Sequence, residues 1–209
     1  MKTLLPRLYA IIDRDCFAAE SDARLAISQF ARELMAGGVT LIQYRNKSGS
    51  AREMLSHARE LQRICAGTDA RLMMNDRADL CLAAGFHGVH VGQDDLSPAA
   101  ARMVVGAQRW VGVSTHNPEQ VAEADLWPVD YIAIGPVFVT GSKARPDPVI
   151  GLEGVRKARQ LTNKPLVAIG GITRENCRSV IEAGADAVAV IADLLKEPQK
   201  AAAEILRTM

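Results

Sequence analysis

Two acidic stretches, one on each side of a short helical pattern, carry the most chemistry in this sequence. Across residues 72–95, LMMND leads through DRADLCLAAG to FHGVHVGQDD. Each apolar run stops at polar groups: Asn75 and Asp76 after the first, Gln93, Asp94 and Asp95 after the second. Core strands that end this way, one helix apart, are expected to be neighbours whose tips share a site. Two carboxylates without a Cys or His cluster suit a hard cation that prefers oxygen. Mg²⁺ commonly takes one or two carboxylates, several waters and substrate phosphate oxygens. A competing reading makes Asp76 and Asp94 helix caps. We read Asp76 and Asp95 as metal ligands and Asp94 as a cap or supporting group.

Cations occur at matching places. In QYRNK, the residues Gln43, Arg45 and Lys47 are two apart, so an extended chain turns them to one face. An inward Arg on a core strand needs an anionic partner. Further on, Thr140, Gly141, Ser142 and Lys143 combine hydroxyls, a flexible backbone and a point charge, as a phosphate cradle requires. They open the longest connection without helical pattern, and residues 139–150 are expected to act as a lid. Gly170 and Gly171 would let an anion approach the backbone at the start of the next helix. The turn at Ile191 and Ala192 offers further N–H groups. Two anion sites result. Arg45, Lys47, Lys143 and a metal suffice for a pyrophosphate. The neutral N–H groups of Gly171, Ile191 and Ala192 suffice for a phosphate monoester. A metal-bound diphosphate beside a second phosphorylated substrate implies group transfer with pyrophosphate as the leaving group.

The histidines fit no metal cluster. His87 and His90 are three apart on a strand and face opposite sides; His90 is expected to pack near the site. His57 lies on a helical pattern, and His116 follows Ser114 and Thr115 in a loop where it could reach a substrate. No Ser-His-Asp arrangement is visible and no Cys sits in an evident basic pocket, so covalent catalysis is not indicated.

These residues need a frame that gathers strand ends. Eight short apolar runs supply it, beginning at LYAII and ending at DAVAVI, each bounded by Gly, Pro or a charge. Amphipathic patterns lie between them, such as SDARLAISQFARELMAGG, with Ser21 or Asp22 as cap and Leu25, Ile27, Phe30, Leu34 and Met35 on one broad face. Strand-then-helix repeated eight times predicts an α/β protein with a (β/α)8 TIM barrel, one compact domain over 1–209. A doubly wound open sheet is the alternative, but no G-x-G-x-x-G follows the first strand. In a barrel the site lies at the C-terminal ends of the strands.

The bulk numbers agree. A formal net charge of +1 in 209 residues argues against a nucleic-acid partner, which needs a broad basic surface. No apolar stretch approaches the roughly 20 residues of a membrane span. The start, MKTLLPRLYAIIDRD, does not resemble a signal peptide. Cys16, Cys65, Cys81 and Cys177 form no CxxC and read as reduced thiols, which fits a cytoplasmic protein.

At these residues the chain resembles the thiamine-phosphate synthase family. The resemblance runs through LYAIID, QYRNK, MNDRADLCLAAGFHGVHVGQDDL, VGVSTHNPEQ, DYIAIGPVFVTGSK, VAIGGIT and AGADAVAVIADLL, in order. It implies a transferase that joins 4-amino-5-hydroxymethyl-2-methylpyrimidine diphosphate to 4-methyl-5-(2-hydroxyethyl)thiazole phosphate, releasing pyrophosphate by a dissociative route. It assigns Gln43, Tyr44, Arg45, Asn46, Lys47, Asn75 and Lys143 to the pyrimidine diphosphate, with Ser114 beside that substrate and the departing pyrophosphate. Asp76 and Asp95 become Mg²⁺ ligands. Thr140, Gly141, Ser142, Gly171, Ile191 and Ala192 fall to the thiazole phosphate. Arg45, Lys47, Ser114 and Lys143 would carry the catalysis.

Two departures from the family pattern stand out. Ala192 replaces a usual Ser, which removes a hydroxyl worth on the order of 1 kcal/mol. Gly141 and Ser142 replace a more usual non-glycine–Thr pair. Two other readings stay open on the same barrel. A thiazole tautomerase-like isomerase would lack part of the diphosphate set and would carry a His where Gly135, Pro136 and Val137 stand. A non-catalytic barrel binding thiamine intermediates would not need the metal pair.

Overall fold

Short runs of branched apolar residues with no room for a polar face become buried parallel strands. Leu8–Asp13 (β1), Gly88–Val91 (β4), Tyr131–Ile134 (β6) and Ala187–Val190 (β8) are buried at every position. Leu41–Arg45 (β2), Arg71–Asn75 (β3), Trp110–Thr115 (β5) and Leu166–Ile169 (β7) complete the set. In this computed structural model, which describes residues 5–141 and 147–209, the strands form a closed parallel barrel in sequence order, β8 pairing back onto β1. Closure leaves no sheet edge exposed. The expected TIM barrel is therefore found.

The helices are Ala23–Ala36 (α1), Ala51–Cys65 (α2), Ala78–Ala84 (α3), Pro98–Val105 (α4), Pro118–Asp125 (α5), Gly151–Leu161 (α6), Cys177–Glu182 (α7) and Pro198–Thr208 (α8). Their starts follow local chemistry. Asp22, Ser50, Ser97 and Asn117 each accept a backbone N–H from the first turn, and Pro98 and Pro118 occupy first-turn positions. Ser97 is the cap of α4, so Asp94 is not; it stands exposed before the helix. Leu25 was expected on the buried face of α1 but is 66% exposed, because helical spacing turns it to the side opposite the buried Ile27, Phe30 and Leu34.

Period-two alternation sorts the strand side chains. Odd positions of β1 and β2 fill the barrel interior, where Tyr9, Ile11, Leu41, Met73 and Tyr131 form one cluster. Even positions such as Leu8, Ile12, Ile42 and Tyr44 join the larger layer between barrel and helices. The register sets Asp13 beside Arg45 and Asn75 beside His90 at the C-terminal rim. The sixth strand stops at Ile134, earlier than its apolar run, because Pro136 has no N–H to give a ladder. Val137 and Phe138 still donate to the Ile169 and Gly170 carbonyls at 2.9 Å.

Candidate active site at the barrel mouth

The strand ends bring charges of both signs together. Arg45, last residue of β2, pairs with Asp13, last residue of β1. Asp13 is 5% exposed and was not among the sequence candidates. Its signal was present, since LYAIID is also a core strand that ends in a carboxylate. Two residues beyond Arg45, Lys47 Nζ donates to Asp76 Oδ2 at 2.5 Å.

Asp76 follows β3 with φ of +61°, a left-handed conformation that a non-glycine residue adopts under constraint. Its N–H donates to the His90 carbonyl at 2.7 Å, which holds it there. Burial pushes its carboxyl up to about 6, the adjoining Asp95 carboxyl adds to the rise, and Lys47 opposes it. Asp95 Oδ2 is fixed by the Gly92 N–H at 2.8 Å. The two carboxylates therefore face each other and repel, an arrangement that a cation between them relieves. Among the described residues no group of three or more His, Cys, Asp and Glu converges. A carboxylate pair alone is the donor set of a Mg²⁺ that keeps waters and takes phosphate oxygens, so the residues fit that ion.

Amides and a hydroxyl complete the rim. Asn75 Nδ2 is buried without a hydrogen-bond partner, a donor awaiting an acceptor. Ser114 Oγ lies 2.8 Å from His90 Nε2, and the Ser114 carbonyl accepts from Gln93 Nε2 at 2.6 Å. Gln43 points inward and Nε2 donates to the Tyr9 hydroxyl at 2.8 Å.

Tyr44 and Asn46 do not bring their side chains to the mouth. The Tyr44 hydroxyl turns outward to His57 Nδ1 at 2.8 Å and accepts from Asn46 Nδ2 at 3.1 Å. Asn46 Oδ1 accepts the N–H groups of Ser48 and Gly49. These two residues fold the loop that carries Lys47, and only their backbones remain for a substrate. His57 is thus a buried partner of Tyr44. His116 Nδ1 donates to the Gly135 carbonyl at 2.7 Å and lies 3.5 Å from Asp147.

On the other side of the mouth, Gly170 and Gly171 have φ of +101° and +64°. A Cβ on Gly171 would stand 2.5 Å from the Val139 carbonyl oxygen and 2.8 Å from Phe138 Cβ, so residues 138 and 139 lie against this turn. That brings Thr140 near Gly171. The expected helix start at Gly171 is not found, since α7 begins only at Cys177. Ile191 precedes a 3₁₀ turn, Ala192–Leu194. Arg174 ties the two loops, its backbone N–H donating to Asp193 Oδ2 at 2.8 Å and its Nη1 to Glu204 at 2.7 Å. Ser142 and Lys143, with residues 144–146 of the expected lid, lie outside the described residues.

A closed parallel barrel with cations, carboxylates and an unpaired amide donor at its C-terminal rim is a (β/α)8 enzyme of small-molecule substrates. The sequence matches the profile described as thiamine monophosphate synthase over residues 8–194. It is 65% identical over 205 residues to the thiamine-phosphate synthase of Koribacter versatilis, covering 98% of this chain and 96% of that protein. It is 40% identical to that of Chlorobium phaeovibrioides, covering 89% and 90%. Among solved structures, thiamine phosphate pyrophosphorylase from Pyrococcus furiosus superposes with a TM-score of 0.84 at 32% identity, covering 97% of this chain and 94% of that one. The chain belongs to the thiamine monophosphate synthase family, and its activity is thiamine-phosphate synthesis, a transferase reaction of thiamine biosynthesis. Among the described residues no helix is long and apolar enough to cross a membrane.

Proposed function

We propose that the two substrates are 4-amino-5-hydroxymethyl-2-methylpyrimidine diphosphate and 4-methyl-5-(2-hydroxyethyl)thiazole phosphate, joined with the help of Mg²⁺. The observation that carries this reading is the Lys47–Asp76–Asp95 cluster beside the unpartnered Asn75 Nδ2. A carboxylate pair next to a half-exposed cation and a free amide donor suits a metal-bound diphosphate better than a single phosphate.

The C–O bond to the diphosphate breaks with its electron pair passing to pyrophosphate. The thiazole nitrogen lone pair then forms the new C–N bond, and no proton need be added or removed. Charge develops on the leaving group, and preorganised cations there lower the barrier. Asp13 holds one side of the Arg45 guanidinium, which leaves its remaining N–H donors for phosphate oxygens. Lys47, half exposed, is placed to swing from Asp76 to the same oxygens. Lys143 would add a third charge. Mg²⁺, held by Asp76 and Asp95, would neutralise part of the pyrophosphate charge. Ser114 would lie beside the pyrimidine. Thr140, Gly141, Ser142, Gly171, Ile191 and Ala192 would take the thiazole phosphate.

The test is direct. The purified protein is incubated with both substrates, with Mg²⁺ or with a chelator, and thiamine phosphate and pyrophosphate are measured. Product is expected only with the metal. No product in its presence would overturn the reading.

A further inference from the structure

Beneath the mouth, a chain of hydrogen bonds crosses the barrel interior. Gln43 Nε2 donates to the Tyr9 hydroxyl at 2.8 Å. The Tyr9 and Tyr131 hydroxyls are 3.0 Å apart. The Tyr131 hydroxyl lies 2.9 Å from His90 Nδ1, and His90 Nε2 lies 2.8 Å from Ser114 Oγ. Gln43, Tyr9, Tyr131 and His90 are all at most 7% exposed. The chain therefore joins a residue in the middle of β2 to one near the end of β5 through groups that are almost fully buried. Nothing in the proposed chemistry uses its three middle members.

Each phenol has one proton to give. Burial raises both tyrosines well above their ordinary range, so both keep it. Tyr9 already accepts from Gln43, and its remaining partner is Tyr131, so its proton goes there. The Tyr131 proton then goes to His90 Nδ1. The ring in this state carries its proton on Nε2 and donates it to Ser114 Oγ. At one end, Gln43 has its amide N–H engaged below and keeps its carbonyl oxygen for the mouth. At the other end, Ser114 has accepted a bond and keeps its own O–H proton for the mouth. Turning Gln43 over would put its oxygen on Tyr9. Every bond in the chain would then have to reverse, down to the tautomer of His90 and the hydroxyl of Ser114. A mixed state leaves a buried group unpaired, at a cost of about 1–3 kcal/mol.

We propose that this one-way chain through Tyr9, Tyr131 and His90 is a specificity device: it locks Gln43 as an acceptor and Ser114 as a donor, and so selects a 4-aminopyrimidine over its 4-oxo counterpart. The inference rests on the pyrimidine reading above. An exocyclic amine offers an N–H to the Gln43 oxygen. An oxo group in its place sets oxygen against oxygen and is accommodated only if the whole chain reverses. Tyr9, Tyr131 and His90 are positioning residues that act through Gln43 and Ser114.

Two measurements test it. In ligand-free protein with ¹⁵N-labelled histidine, the His90 ring is assigned by its loss in His90→Gln. A proton on Nε2 and a bare Nδ1 are expected. A proton on Nδ1, or on both nitrogens, would overturn the stated direction. The second measurement compares the amino substrate with its 4-oxo analogue as a competitor, in the wild type and in Tyr131→Phe, with Tyr9→Phe as a second break in the chain should the first not fold. The wild type is expected to prefer the amino compound by roughly tenfold or more. Breaking the chain frees Gln43 to turn, and the preference is expected to shrink by at least about threefold. Equal losses for both compounds would mean that the tyrosines only support the fold. A wild type that makes no product from the amino substrate would remove the pyrimidine reading, while the ring tautomer would still judge the chain.

Discussion

Asp76 combines three unfavourable features at one residue: a left-handed backbone, burial and a second carboxylate against it. Lys47 offsets only part of this, because its own side chain is 48% exposed and such pairs are worth about 0–1 kcal/mol. A site held in this state is stabilised by what binds it, which is the mark of function over stability. Replacing Asp76 by Gly removes the backbone strain and the repulsion together. Asp76→Gly is expected to raise the melting temperature by roughly 2 °C, on about 1 kcal/mol, while turnover falls by 10² or more. A melting temperature that drops would show that the Lys47 pair outweighs the strain. The same residue shows what a sequence discloses. Asp76 and Asp95 were readable from residue type and from the way a core strand ends. The chain below them was not, since Tyr9 and Tyr131 are 122 residues apart and meet only because the barrel closes. Gly112 is part of that hidden layer. A Cβ there would overlap the end of the Tyr131 ring, so only glycine leaves space for the phenol. Gly112→Ala is therefore expected to shift Tyr131 and reproduce the loss of amino-over-oxo preference, measured by the same competition.

At the scale of elements, β2, its loop and α2 act as one unit. Tyr44 and Asn46 were assigned to substrate by resemblance, while alternation along the strand set Gln43, Arg45 and Lys47 on the other face. The side chains follow the alternation. Tyr44, His57 and Asn46 form an outward polar knot that shapes the loop bearing Lys47. His57 has its pKa lowered, by burial first; Arg14 and Arg24 lower it further, while Glu53 and Asp22 partly oppose. The neutral ring thus belongs to the fold, whereas the unfolded chain takes a proton at the ordinary value near about 6.5. Stability from this group is present above that value and lost as pH falls below it toward the folded pKa. His57→Gln is expected to lose less melting temperature than the wild type between pH 7 and pH 5. An identical loss would place the acid sensitivity elsewhere. Strand and helix existence was legible from periodicity. Two boundaries were not: β6 ends early at a proline, and α7 starts six residues after Gly171 because the turn at Thr173 and Asn176 intervenes.

Across the whole molecule the two ends of the barrel are built by different rules. At the end away from the mouth, one device recurs. Asp130, just before β6, accepts the Val111 N–H of β5 at 2.7 Å and pairs with Arg102 from α4. Asp186, just before β8, accepts the Leu166 N–H of β7 at 2.8 Å and pairs with Arg159 from α6. His87, just before β4, accepts the Leu72 N–H of β3 through Nδ1 at 3.0 Å. Each clamps the base of one strand to its neighbour, and the two arginines bind the helix layer to the same point. Here charges meet their partners and backbone donors are satisfied. At the mouth, Asn75 Nδ2 has no partner and carboxylates face each other. Conserving work between the ends in this way predicts a separation that mutation should show. Asp130→Ala leaves the Val111 N–H without its acceptor and Arg102 without its carboxylate. A loss of about 1–3 kcal/mol is expected, lowering the melting temperature by roughly 2–12 °C. Because the clamp lies at the opposite end from every substrate group, kcat and KM should stay within about twofold at a temperature where the variant is folded. Joined to Asp76→Gly in one chain, the two changes in stability should add, one lowering and one raising the melting temperature, since the sites share no partner. A clear departure from additivity, or a change in KM from Asp130→Ala alone, would mean that the base of the barrel is coupled to its mouth.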